Sequence, residues 1–132
     1  MTAATSKRCL QIVVAVLALV PVSAGLAGVI LGPSAFADAA EWPVDLDSHL
    51  RYLSGIFLAV GIGFWTTVPA IERKTALFRL AATAVVIGGL ARLLSLVLHG
   101  APSAPHVAGL GLELVVVPLL AVWQGRVARA AS

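Results

Sequence analysis

The chain has one cysteine, one tyrosine and one methionine in 132 residues, and only 11% of it is charged. The lone Cys9 excludes a disulfide framework, an all-thiol metal cluster and a Cys-x-x-Cys redox pair. It also excludes paired-thiol chemistry of the kind that couples to quinones. The scarcity of charge is equally informative, because a soluble domain carries about 25% charged residues. Apolar residues instead reach 60%, and the mean hydropathy is +1.01. So small a globule has too much surface to hide this excess, and so apolar a chain does not stay disordered. An integral membrane protein is the reading that remains.

A transmembrane helix needs about 20 mostly apolar residues. Four stretches meet or approach that length: Leu10–Leu31, Tyr52–Ile71, Thr75–Leu98 and Val107–Trp123. The first two carry no charge, the third contains Arg79 and Arg92, and the fourth contains Glu113. None alternates in polarity over about ten residues, as outer-membrane barrel strands do. A lone segment in lipid must satisfy its own backbone, so helices are predicted. The expected fold is all-α, a compact four-transmembrane-helix bundle forming a single membrane domain over residues 1–132. Pro21 and Pro118 predict kinks, whereas Pro69 lies close enough to a span end to cost little.

Lys7 and Arg8 precede the first span, Arg73 and Lys74 join the second to the third, and Arg126 and Arg129 follow the fourth. The acidic loop 32–49 and the loop 100–106 contain no lysine or arginine. Basic residues stay on the cytoplasmic side, so both termini are expected there and both of these loops outside. A bacterial inner membrane is the expected location. The same rule accounts for the net charge of +3, and no basic stripe interleaved with aromatics points to nucleic acid. Trp42, Trp65 and Trp123 fall near expected span ends, where aromatic belts form. A competing reading takes Lys7-Arg8, the first apolar run and Ala35-Phe36-Ala37 as a cleaved signal peptide. The run of 22 residues exceeds the roughly 7–15 of a signal peptide, which favours an uncleaved anchor.

Small residues let helices in lipid approach. Gly55, Ala59 and Gly63 form two successive small-xxx-small steps on the second span, and Gly25 and Gly28 give a weaker version on the first. Ala84 and Gly88 lead up to Arg92 on the third, and Gly109 lies one turn before Glu113 on the fourth. Arg92 is eight residues before Gly100, about 12 Å deep, and Glu113 is six past Val107, about 9 Å deep. Their helices are antiparallel neighbours, so the opposite charges meet at similar depth. Each alone would cost roughly 2.5–3.5 kcal/mol in the bilayer, and pairing is expected.

Arg92, Ser95 and His99 share one helical face, as do His106 and Glu113. His49, Arg51 and Tyr52 open the second span on the same side. Together these residues predict an outward-opening polar pocket beneath the 100–105 loop. The alternative is an Arg–Glu pair that only fixes helix register. Three histidines without an HxxxH or HExxH spacing give no metal signal. No cofactor fingerprint is present.

Several of these residues form a pattern. Arg51-Tyr52-Leu53-Ser54-Gly55 with Gly61 and Gly63, Gly88-Gly89-Leu90-Ala91-Arg92-Leu93-Leu94-Ser95, His99-Gly100-Ala101-Pro102-Ser103 and Glu113 resemble the bacterial membrane proteins of domain of unknown function 4345. The resemblance spans 47–123. It implies a four-helix module of about this length with Arg51, Arg92 and Glu113 in its pattern, and it implies no activity.

The leading functional expectation is a non-catalytic membrane protein. Its partners beyond the bilayer would be a lipid or small hydrophobic ligand, a second copy, or another membrane protein. A small proton-coupled transporter is the first alternative, given the buried Glu113. A membrane enzyme of isomerase or epoxide-opening type, with Glu113 and a histidine as acid and base, is the second.

Overall fold

The computed structural model describes residues 2–39 and 41–131, which form helices and turns with no β-strand among them. Helix α1 (Ala3–Leu17) runs almost directly into α2 (Leu19–Leu31), which ends in a 3-10 turn (Gly32–Ala35). Helix α3 (Val44–Thr67) ends in a second such turn (Val68–Ala70), and α4 (Thr75–His99) follows. The final passage consists of α5 (Ala104–Gly111), a π turn (Leu112–Val116) and α6 (Val117–Ala130). The four resulting helical segments, Ala3–Ala35, Val44–Ala70, Thr75–His99 and Ala104–Ala130, are each long and apolar enough to cross a membrane. The protein is an all-α, multi-pass membrane protein.

Local chemistry explains where these helices start and break. Thr2 caps α1, its hydroxyl accepting from the Thr5 N–H at 3.2 Å. The first span breaks at Ala18 because Pro21 has no N–H to return to the carbonyl four residues back. Hydropathy opens the second span at Tyr52, yet its helix opens at Val44. Asp45 and Asp47 lie in that first turn, where carboxylates suit the helix dipole although they count against hydropathy. In the last span, Pro118 cannot donate to Leu114. The turn before it widens, and the Val117 N–H reaches five residues back to the Leu112 carbonyl.

Glycine sets the closest helix contact, between α2 and α3. A Cβ on Gly25 would lie 2.6 Å from the Leu58 nitrogen, and one on Gly61 would lie 2.7 Å from Val22 Cγ2. Gly28 faces the Ser54 side chain in the same seam. The small face expected at Gly55, Ala59 and Gly63 is not the contact. Gly63 meets nothing within 4 Å and Gly55 only Val29 Cγ2 at 3.9 Å. The period-four spacing was real, but the seam runs along Ser54, Leu58 and Gly61 instead.

The buried core gathers toward the end that carries both termini. Leu10, Val14 and Ala18 form a stripe along the first span, against Phe64, Phe78, Leu120 and Val127. The Phe64 and Phe78 rings meet edge to face at 5.2 Å. Side-chain amides tie the same region together. Gln11 donates to the Val68 carbonyl at 2.6 Å, and Gln124 donates to the Ile71 carbonyl and the Thr75 hydroxyl, both at 2.8 Å. Lys7 pairs with Glu72 at 3.0 Å. Trp65 and Trp123, placed in aromatic belts by position, also donate inward, to the Ala15 carbonyl and the Ser6 hydroxyl, both at 2.9 Å.

Candidate functional site

Arg92 on α4 and Glu113 on the π turn form a forked ion pair. Nε donates to Oε2 and an NH2 hydrogen to Oε1, both at 3.0 Å. Two parallel bonds of this kind fix orientation as well as distance. Glu113 is 8% exposed. The approach depends on Gly89, where a Cβ would lie 2.8 Å from Glu113 Cβ. Gly88, expected to bring the helices together, instead meets nothing within 4 Å. Its open side forms part of a groove.

Two spaces border the pair. One is a cavity of about 80 Å³ in the middle of the bundle, between the break at Ala18 and Pro21, Phe57, Phe64 and Leu120. Glu113 is the one charged residue lining it. The other is a lateral groove of about 210 Å³ between α3 and α4, walled by Ile56, Val60, Ala84 and Gly88 and reaching both Arg92 and Glu113. Phe57, Val85 and Glu113 line both spaces and so form the partition between them.

The remaining residues expected at a polar pocket are not gathered there. Arg51 donates to both Asp47 carboxylate oxygens, at 2.8 and 3.1 Å, and to the Val29 and Ile30 carbonyls at 2.6 and 2.9 Å. It thereby closes the exposed carbonyl end of α2. His106 bonds the Ser103 hydroxyl through Nδ1 at 2.9 Å, and its ring meets Phe36 edge-on at 6.5 Å. His49, Tyr52, Ser95 and His99 are exposed. Among the described residues α5 buries no side chain and α4 buries none beyond Gly89, so these groups are not enclosed. The space beside the pair is consequently apolar and lies toward the middle of the bundle, not under the 100–105 loop. Among the described residues no three His, Cys, Asp or Glu side chains gather as a metal site.

Sequence reasoning missed the cavity walls, Gly89 and the buried Gln124. One signal for the cavity was available. Pro21 and Pro118 interrupt two different spans, and interrupted helices in membrane proteins mark the places where spaces open.

A family model described as a domain of unknown function, DUF4345, matches residues 9–124. The chain belongs to the DUF4345 family. No curated protein and no solved structure matches it. The DUF4345 match takes in the first span as well as the later three, so it covers both walls of the central cavity and both members of the ion pair. It brings no activity with it, and the chemistry has to be read from the site.

The pair presents a defined set of donors and acceptors. The fork uses the Arg92 Nε–H and one NH2 hydrogen, leaving the other guanidinium hydrogens as donors, and Glu113 keeps unused lone pairs. A hydroxyl or carbonyl group fits these donors and acceptors. His99 is exposed, and His106 bonds the Ser103 hydroxyl.

Proposed function

We propose that this protein binds a slender amphipathic molecule drawn from the bilayer, an alkyl chain ending in an uncharged hydroxyl or carbonyl, and performs no chemistry on it. The observation that carries this reading is the position of Glu113, which borders both the lateral groove and the central cavity. The polar end of the ligand lies on the Arg92–Glu113 fork and its chain lies along the groove. The central cavity, at about 80 Å³, is smaller than the roughly 150 Å³ that admits a benzene ring. It takes the tip of a chain and not a ring. The lysine and arginine asymmetry supports cytoplasmic termini in a bacterial inner membrane, with the groove opening in the outer half of the bilayer.

The test uses decanol with the purified protein in mild detergent, read by native mass spectrometry. Wild type should carry one decanol adduct, and Arg92→Met/Glu113→Leu should lose it while remaining folded. Replacing a buried ion pair by apolar residues of similar volume is often neutral for stability. An adduct of equal intensity on the double variant, or none on wild type, overturns the reading. Carriage of the same molecule across the membrane is a second reading, favoured by the partition between two spaces at Glu113. It requires that vesicles containing the protein exchange decanol between leaflets faster than empty vesicles.

A further inference from the structure

The lateral groove and the central cavity meet at Phe57, Val85 and Glu113. Two of these side chains are fixed. The Arg92 fork holds Glu113 in position and direction. Val85 is β-branched and lies inside α4, where such a side chain has one strongly preferred rotamer. Phe57 lacks a tie of either kind. It is half-buried, and among the described residues no other ring packs on it. Phe64, also on the cavity wall, is by contrast held edge to face by Phe78.

The partition stands where the far end of a ligand arrives. Val85 is seven residues before Arg92, about 10 Å along α4. With the polar end on the fork, the last carbons of an extended decyl chain reach this point. Behind it lies a space of about 80 Å³ in which Glu113 is the one charged residue. An unbranched tip that passes the Phe57 ring supplies the cavity lining with contact atoms that it lacks. A forked or cyclic end is wider than a single methyl group. It stays in the groove and leaves the cavity unfilled.

Resting on the binding function proposed for the Arg92–Glu113 fork, we infer that Phe57 is a specificity-determining residue, whose ring admits straight alkyl ends to the central cavity and excludes branched or cyclic ones. The ligand class narrows accordingly to straight-chain alcohols and carbonyl compounds. Isoprenoid alcohols, which carry a methyl branch in every unit, are disfavoured although their polar end is the same.

The experiment is native mass spectrometry of the full chain in mild detergent, with decanol and its branched isomer dihydrocitronellol offered in separate samples. The two share one head and one composition and differ only in the branching of the tail. Wild type should retain decanol about tenfold better, the scale on which a hydrophobic pocket separates substrates that differ by a methylene. Phe57→Ala joins the two spaces, so the preference should fall below about twofold, mainly through better retention of the branched isomer. Phe57→Leu removes less volume, guards against loss of folding and should lie between. A residue needed only for packing would weaken both isomers alike and leave their ratio unchanged. Decanol bound by wild type with that unchanged ratio in both variants would overturn the role of Phe57 and leave the binding function standing. Equal retention of the two isomers by wild type would overturn the selectivity. No adduct of either alcohol on wild type would remove the binding function and the role of Phe57 with it.

Discussion

The two ends of this bundle are built differently. At the end carrying the termini, Leu10, Thr67, Ile71, Phe78 and Gln124 are fully buried, and amides, indoles and an ion pair connect every span to another. At the opposite end, α4 buries nothing beyond Gly89 and α5 buries nothing at all. The polar ties there are fewer: Arg51 on the carbonyl end of α2, the Ser103–His106 bond and the Arg92–Glu113 fork. The comparison separates two tasks. One end supplies most of the buried core, and the cavity beside Glu113 lies where that core gives way to the less buried end. Proteins in general place binding elements in their less tightly packed parts, because those parts must admit something.

Truncating the packed end should have the largest effect. Phe78→Ala should cost about 3–5 kcal/mol, as large-to-small changes in cores do, measured by reversible unfolding in mixed micelles. Val97→Ala, at a side chain 70% exposed near the other end, should stay within about 0.5 kcal/mol. Equal effects would erase the contrast. Next is the fork itself. Glu113→Gln leaves Arg92 facing an uncharged partner and should cost about 1–3 kcal/mol, less than for a wholly buried pair because the Arg92 side chain is 32% exposed. The double variant Arg92→Met/Glu113→Leu should recover most of that loss.

The glycine seam makes a comparison within one helix. Gly61→Val should destabilise by about 1–3 kcal/mol through collision with Val22, and Gly63→Val should be nearly neutral. If the two substitutions cost the same, the seam is misplaced.

The smallest effect concerns pH at the packed end. The Glu72 carboxyl is held below its ordinary range, first by its own backbone N–H and then by Lys7. A depressed carboxyl favours the fold at pH above the ordinary carboxylate range. That contribution is lost as pH falls through and below the range. Thermal midpoints measured from neutral pH down to about pH 3 should therefore fall less steeply for Glu72→Gln than for wild type.

Much of this architecture was legible in the sequence. Four apolar runs of membrane length gave the spans, because hydrocarbon thickness leaves little freedom in helix length. Arg92 and Glu113 were legible as partners because a short loop puts equal depths opposite each other. The rest depended on rotation about helix axes, which hydropathy does not report. Period-four glycines marked Gly55 and Gly63, yet the seam lay one face away at Gly61. Gln124 fell one residue past the expected end of its span, although an amide at the edge of an apolar run is a reasonable candidate for a buried tie. Arg51 and Asp47 stand at helical i, i+4 spacing, a local pair, yet Arg51 is expected at a distant pocket and Asp47 in the acidic outer loop.

The π turn has a consequence for how the site could arise or be lost. Its wider ring holds one more residue than a regular turn, so the last span is out of phase with itself on either side of Leu112–Val116. Removing one residue there, Val115 for instance, would let the helix close regularly and swing Glu113 by about 100° relative to α6. The carboxylate would leave both Arg92 and the cavity while α6 kept its place in the packed end. Presence or absence of the site thus corresponds to an insertion or deletion of a single codon, with the scaffold left in register.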